Sequence, residues 1–555
     1  MTRRTVLLLG LWLAWRGAAA EDWTHGAIAT GHPLATAAGV NALQRGGNAV
    51  DAAIAAAITL GVVDGHNSGL GGGCFILIRT ADGSLTAIDG REKAPALATR
   101  DMFVRGGKVA TGASRNGALA SATPGALAAY QLALRNHGKL KLADLLLPAA
   151  DIAAGGFQLD EVYANKLTAM ADRLRKADGS RKEFFDANGA PLKKGDTLKQ
   201  PDLARSLRAI AGQGTDWFYR GDYADQVDAW MRANGGVLRK DDFANYAAVL
   251  REPLRTHYRG HEIIGMPPVS SGGVLVAQIL NILQTFDIAA MPTADRLHVT
   301  AEAMKLAFAD RAYWLGDPDF VKVPRGLTDR DYAQQLAARI RPDRASTVSG
   351  HGAPPRWDGD VFGKHTTHLS AADAAGNWVA LTQTINTAFG SMVIVPGTGI
   401  FLNDEMDDFA VAPGVPNAFK LVGAEANAVE PNKRPLSSMS PTLVLKDGKP
   451  ILSVGAAGGP TIISQTVQAL VNVIDLKMDI AGALKQPRIH HQWSPDELKI
   501  ETGAGAQVMR ELTARGHTLD PTSSFGACQA VLWDEASHGF QAAHDPRVPG
   551  MAGGW

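Results

Sequence analysis

Two threonines between two histidines, His365-Thr366-Thr367-His368, stand where this 555-residue chain changes texture. Residues 342–365 before them are Gly/Pro-rich and poorly periodic, including Ser349-Gly-His-Gly-Ala-Pro-Pro-Arg-Trp-Asp-Gly-Asp360. After them the pattern turns strand-like. A threonine at such a junction can do acyl-transfer chemistry if the chain cleaves just before it. Its hydroxyl is then the nucleophile and its own α-amine the base. A mobile linker would give access to the scissile bond. Metal chemistry is not indicated. His365 and His368 are three apart and His490-His491 adjacent, which fits neither HExxH nor a Cys/His cluster.

The segment after Thr366 reads as a hairpin. If Ala374-Ala375-Gly376 is a three-residue loop with Gly376 left-handed, Asp373 opposes Asn377. Thr366 then opposes Thr384 and His368 opposes Thr382, with Cβ atoms about 5 Å apart on one face. Thr384 would be placed to orient the Thr366 hydroxyl. A four-residue loop would put the two on opposite faces, and on pattern alone a Thr-rich edge hairpin is the ordinary reading. Further on, Gly455-Ala-Ala-Gly-Gly-Pro460-Thr-Ile-Ile follows a strand (450–454) and opens a helix. Pro460 suits a first helical turn, and bare N–H groups at Gly458 and Gly459 could hold an oxyanion. A plain strand-to-helix turn has the same pattern. Between these lie Glu405-Met-Asp-Asp408, Ser437-Ser438 and a long Pro-punctuated loop, 410–435, which suggests a lid.

Other elements must carry these residues. Pro33–Gln44 reads as a helix ending at Arg45-Gly46-Gly47, and Asn48 caps a second, Ala-rich helix over 49–60. His66-Asn-Ser-Gly-Leu-Gly-Gly-Gly-Cys74 runs into a strand over 75–79. Glycines before a strand reverse the order a dinucleotide fingerprint needs, so a tight, closely packed turn is expected. Residues 123–341 are rich in helical patterns, for example 294–314.

Composition narrows the function classes. Lys+Arg and Asp+Glu are equal at 55 each, so no global charge favours nucleic acid or an anionic membrane. Arg3-Arg4, an apolar run from Val6 to Trp15 and Ala18-Ala19-Ala20 read as a cleaved signal peptide, residues 1–20, hence a periplasmic or secreted protein without a membrane anchor. Two cysteines, Cys74 and Cys528, make no disulfide framework and read as buried small hydrophobes.

The ordered set HTTHLSAAD, LTQTINTAFG, GIFLNDEMDDF, PNKRPLSSMS and GAAGGP resembles the γ-glutamyltranspeptidases. So do ALQRGGNAVDAAIA, NSGLGGGCFILIR and IDGREKAPALATRDMF nearer the start. The resemblance spans essentially the whole mature chain and outweighs the edge-hairpin reading. It implies an α+β fold, the αββα sandwich of N-terminal-nucleophile hydrolases. Cleavage between His365 and Thr366 would give a large subunit (21–365) and a small one (366–555) that stay associated. Thr366 is the implied nucleophile, Thr384 its hydrogen-bonding partner, and Gly458 and Gly459 the oxyanion donors. Arg91, Ser437 and Ser438 would hold the α-carboxylate of a γ-glutamyl group, and Asn386, Glu405 and Asp408 its ammonium. Donors such as glutathione and acceptors such as water, amino acids or peptides are the implied partners, with no cofactor. Three departures stand out. Gly90 replaces a bulkier residue, which would loosen the wall beside Arg91. Phe419 replaces a lid tyrosine. Glu405 replaces a glutamine found in some relatives, adding negative charge. Acylases acting on β-lactam side chains and poly-γ-glutamate depolymerases are the rival readings within the fold. A processed but inactive binding protein and an unprocessed structural chain are rivals outside it.

Overall fold

The central hairpin, Leu369–Asp373 and Trp378–Thr384, alternates the destinations of its side chains as a strand period of two requires. Ala371, Val379 and Leu381 pack toward helices, whereas Ala372, Trp378 and Ala380 join a second core shared with another sheet. A sheet buried on both faces by unlike layers follows. The computed structural model describes residues 23–110, 112–176, 179, 183–356 and 369–555. The signal segment and His365-Thr366-Thr367-His368 lie outside the described residues.

The hairpin sits mid-sheet in an antiparallel seven-stranded layer ordered Met551–Gly554, Gly26–Thr30, Leu369–Asp373, Trp378–Thr384, Gly73–Arg79, Leu85–Gly90, Val249–Arg251. Facing it is an antiparallel six-stranded layer ordered Gly539–His544, Ala527–Asp534, Lys449–Ala457, Thr442–Lys446, His261–Gly265, Leu254–Tyr258. Helices Pro33–Gln44, Ala49–Val63 and Ala126–His137 cover the first layer. Gly272–Leu283 and Thr461–Ile474 cover the second, with Thr293–Trp314 packed on Gly272–Leu283. The architecture is the expected αββα sandwich. The helix-rich reading of residues 123–341 passed over the three strands between Val249 and Gly265.

The three-residue loop holds. Leu369 opposes Leu381 and Ala372 opposes Trp378, with the Asp373 N–H donating to the Asn377 carbonyl and Gly376 at φ +93°. The loop is clamped to the helix layer by one carboxylate. Asp373 accepts from the Ala49 N–H (2.8 Å), the first turn of the second helix, and from the Asn377 N–H (3.1 Å) and side-chain amide (2.8 Å). That helix has the expected Asn48 cap, reinforced by a reciprocal bond to Asp51, and runs three residues past the expected end.

The glycines before Gly73–Arg79 act as expected for close packing. A Cβ on Gly72 would lie 1.8 Å from the Thr384 carbonyl oxygen, so only glycine lets the strand start there. Gly90 corrects an expectation. Its Cβ position is already crowded by Ala129 (2.6 Å) and the Cys74 carbonyl (2.9 Å), so the missing side chain loosens nothing. Helix Ala126–His137 has moved into the space. Both cysteines are buried free thiols in different layers, as expected.

Asp373→Ala leaves three buried donors without their acceptor. It should destabilise the fold by about 2–3 kcal/mol, read as a lower denaturation midpoint with little change in slope. An unchanged midpoint would show that this clamp adds nothing net.

Candidate active site

Ten of the residues singled out above come from six separate stretches of the chain and line one cavity of about 370 Å³. They are Arg91, Thr384, Asn386, Glu405, Asp408, Phe419, Ser437, Ser438, Gly458 and Gly459. Of the expected set, His365 and Thr366 lie outside the described residues.

Thr384 ends the second hairpin strand beside Gly73 of the neighbouring strand. Its Oγ accepts from the Asn386 N–H (2.8 Å), which leaves the hydroxyl proton to be donated elsewhere. Asn386 takes a left-handed backbone (φ +75°), tolerable for asparagine. Its amide group donates to the Asp404 carbonyl (3.0 Å), which leaves its side-chain oxygen as an acceptor.

Strand Lys449–Ala457 runs three residues past its expected end and delivers Gly458 and Gly459 at positive φ, +129° and +59°. Neither N–H bonds a backbone carbonyl among the described residues. The turn is braced from behind, Gln465 donating to the Ala457 carbonyl (3.0 Å) and Thr461 to that of Gly458 (2.8 Å). Two unpaired donors at a helix start, facing a cavity, can stabilise an oxyanion.

Arg91 lines the same cavity, fully buried just past the end of strand Leu85–Gly90. Its backbone is pinned, the N–H donating to Asp89 (2.9 Å) and the carbonyl accepting from Tyr246 (2.7 Å). Its guanidinium is committed within the protein. Nη1 pairs with Glu405 and lies 3.5 Å from Glu92, Nη2 pairs with Asp408 (2.6 Å), and Nε donates to the Pro435 carbonyl (3.1 Å). These pairs hold the carboxylates of Glu405 and Asp408 together, through turn Glu405–Asp408.

Three carboxylates surround one guanidinium, so the cluster carries excess negative charge. Burial, opposed by Arg91, raises the Glu92, Glu405 and Asp408 carboxyls above the ordinary range, Glu92 to about 7. Burial alone would lower Arg91, but Glu405, Asp408 and Glu92 hold it above its usual value. The second Glu405 oxygen is buried without a hydrogen-bond partner. A cluster so built suits a cation with several donors.

Ser437 and Ser438 directly follow Pro435 and Leu436, whose carbonyls face the Arg91 guanidinium. The Ser437 N–H donates to the Val269 carbonyl (2.9 Å), and Ser438 Oγ accepts from Arg311 Nη2 (3.0 Å). Phe419 packs on the oxyanion turn, where a Cβ on Gly459 would meet its ring at 2.7 Å. The loop carrying it is tied down, Ala418 N–H to Asp407 (2.7 Å) and Gln492 to the Phe419 carbonyl (3.1 Å). His490 and His491 are occupied away from this cavity, His490 bonding Ser464 and Gln492, and His491 bonding Asp496. Sequence reasoning missed Glu92 and Arg311. Glu92 directly follows Arg91, a signal that was available. Arg311 had only its place on a helix of which Glu302, Lys305, Asp310 and Arg311 are buried, while Asp295 and Arg296 in the first turn are partly exposed.

The comparisons with known proteins agree with this geometry. The family model for gamma-glutamyltranspeptidase matches residues 35–555. A glutathione hydrolase proenzyme of Escherichia coli (strain K12) is 44% identical over 530 residues, 94% of this chain and 90% of that one. The crystal structure of cephalosporin acylase from Bacillus halodurans superposes with a TM-score of 0.87 at 29% identity, covering 99% of both chains. A chain of Helicobacter pylori gamma-glutamyltranspeptidase superposes with a TM-score of 0.57 at 35% identity, covering 63% of this chain and 97% of that one. With the fold, the cavity and these matches in agreement, the chain belongs to the γ-glutamyltranspeptidase family of N-terminal-nucleophile hydrolases.

Proposed function

We propose that this chain is an exported, self-cleaving γ-glutamyltransferase and glutathione hydrolase with Thr366 as its nucleophile. The observation that carries the reading is the charge arrangement of the cavity. Arg91 gathers Glu405 and Asp408 into a buried, anionic pocket for an ammonium, in the same cavity as two N–H donors that bond no backbone carbonyl among the described residues. A γ-glutamyl amide has an ammonium at one end and a reactive carbonyl at the other.

The sequence reading opposes Thr366 to Thr384, and support for it comes from the described part of the hairpin, where Leu369 opposes Leu381 as that reading requires. In the precursor, Thr366 Oγ attacks the His365 carbonyl, the amide becomes an ester by N-to-O shift, and water cleaves it. The product has a free Thr366 amine, a large subunit 21–365 and a small subunit 366–555. That division accords with the H. pylori chain, which covers close to the share of this sequence that residues 1–365 take. Residues 1–20 would direct export to the periplasm or medium, and among the described residues no helix is long and apolar enough to cross a membrane.

In turnover, Thr366 Oγ attacks the γ-carbonyl as its proton passes to the Thr366 amine. The oxyanion takes the Gly458 and Gly459 N–H groups. Collapse breaks the amide C–N bond, and the leaving amine takes the proton. Water then cleaves the γ-glutamyl ester, or an amino acid or peptide amine accepts the group. Asn386, Glu405 and Asp408 receive the ammonium. Ser437 and Ser438 receive the α-carboxylate, and Phe419 covers the oxyanion side by packing.

The acylase match makes a glutaryl amide the second donor to weigh. A glutaryl group has no ammonium, so the anionic cluster would repel it where it attracts glutamyl. Kinetics on paired glutamyl and glutaryl anilides should favour glutamyl strongly, and a preference for glutaryl would sink the reading. Thr366→Ala should run as one uncleaved band on a denaturing gel and lose activity by a factor on the order of 10⁴ or more. A cleaved, active variant is incompatible with the mechanism.

The cluster also predicts a pH dependence. Ammonium binding needs ionised carboxylates, whose free-site pKa values are raised, so affinity is full above them and falls as pH drops through them. kcat/KM for a γ-glutamyl donor should therefore begin to decline at higher pH than the usual carboxylate range, because burial raises both Glu405 and Asp408. Glu92→Gln removes a like charge that raises Glu405 and should shift the acid limb to lower pH. An unmoved limb would dissociate Glu92 from the site's titration.

A further inference from the structure

Arg91 cannot be the whole answer to a substrate carboxylate, because its guanidinium is already bonded to Glu405, Asp408 and the Pro435 carbonyl. A second guanidinium lies behind the serine pair. Arg311, from the last turn of helix Thr293–Trp314, is 5% exposed and does not itself line the cavity. Its Nη2 donates to Ser438 Oγ (3.0 Å) and its Nε to Ser271 Oγ (2.9 Å). Ser271 in turn donates to the Ser437 carbonyl through both Oγ (2.6 Å) and its N–H (2.8 Å). One buried cation thus braces both serines, one directly and one through a single intermediary.

We infer that Arg311 is the positioning residue of the α-carboxylate subsite, orienting Ser438 as a donor and adding a second positive charge behind the serine pair. Since Ser438 Oγ accepts from Arg311, its own hydroxyl proton is directed away from that bond and toward the cavity. A hydroxyl polarised by a guanidinium donates to a carboxylate more strongly than an isolated one. Burial pulls Arg311 down to about 10, with Asp408 opposing and Arg91 adding to the fall, so it stays charged at neutral pH. The helix thereby has a role in donor selection that its apolar packing does not reveal.

The inference rests on the γ-glutamyl reading, and paired donors separate the two. γ-Glutamyl-p-nitroanilide carries ammonium and α-carboxylate, whereas 4-aminobutanoyl-p-nitroanilide keeps the ammonium and lacks the carboxylate. Wild-type enzyme should prefer the first in kcat/KM. In Arg311→Gln that preference should fall about tenfold or more, the size of a charged hydrogen bond, through KM with kcat little changed. Arg311→Lys, which keeps the charge without the fork, should recover part of the preference. Ser438→Ala should lose it in the same direction with Arg311 intact, and serves if glutamine at the buried position blocks subunit formation. A merely structural Arg311 would slow both donors alike, and that result, or undiminished discrimination in the variants, overturns the inference. Wild-type enzyme that turns over neither anilide, or does not discriminate between them, overturns the γ-glutamyl reading and this inference with it.

Discussion

A single buried guanidinium, that of Arg91, sets the terms for the rest of the site. An unpaired charge at that depth would cost several kcal/mol, so the fold surrounds it with Glu92, Glu405 and Asp408. Three carboxylates overcompensate one cation, and each is pushed toward its neutral form by burial. The cluster therefore favours a further cation. In the function proposed above a ligand ammonium supplies that charge; among the described residues lining the cavity the other cationic side chain, Lys166, stands at the exposed rim. Arg91 organises the anionic cluster.

The organiser works only because backbones approach closely around it. Gly73, at the start of the strand that pairs with both the hairpin and Leu85–Gly90, has no Cβ because the Glu92 carboxylate lies 2.4 Å from where it would be. Gly72 makes room for the Thr384 carbonyl in the same way. Two consecutive glycines thus bring the head-group cluster and the hairpin end to one strand terminus. The span between nucleophile side and ammonium side is set by backbone, the stiffest element available, and substrate length is read against it.

Local signals in the sequence were strong where the physics is local. The Asn48 cap, the helix Pro33–Gln44 and the hairpin register about Gly376 follow from capping and turn chemistry that a few residues determine. The gathering of Arg91, Asp408 and Ser438 does not, since they are hundreds of residues apart or on loops, and only motif resemblance linked them. Even then the resemblance did not show the ion pairs that Arg91 makes with Glu405 and Asp408. Which carboxylate pairs with which cation depends on burial and direction, and a string of residue types carries neither. Gly90 shows the same limit. Its missing side chain read as a gap, yet Ala129 on a helix forty residues on fills it. Arg311 was hidden for a related reason. A charged residue on a helix ordinarily marks the solvated face, and here the helix is enclosed on nearly every side.

The lid and the head-group pocket share one short turn, which couples them. Glu405 and Asp408 contact Arg91, while Asp407 between them accepts the Ala418 N–H of the lid and is itself held by Ser114 (2.6 Å). Asn417, next in the lid, reaches the free oxygen side of Asp408 at 3.4 Å. Phe419 then lies against Gly459, one of the two proposed oxyanion donors. In the function proposed above, a ligand ammonium on Asp408 would therefore bear on the same turn that fixes the loop carrying Phe419. The contacts run without a break from the carboxylates to the Gly458-Gly459 turn, so head-group binding and the position of that turn would depend on one local structure. The final link is the packing of a phenylalanine ring on glycine, which needs no hydroxyl.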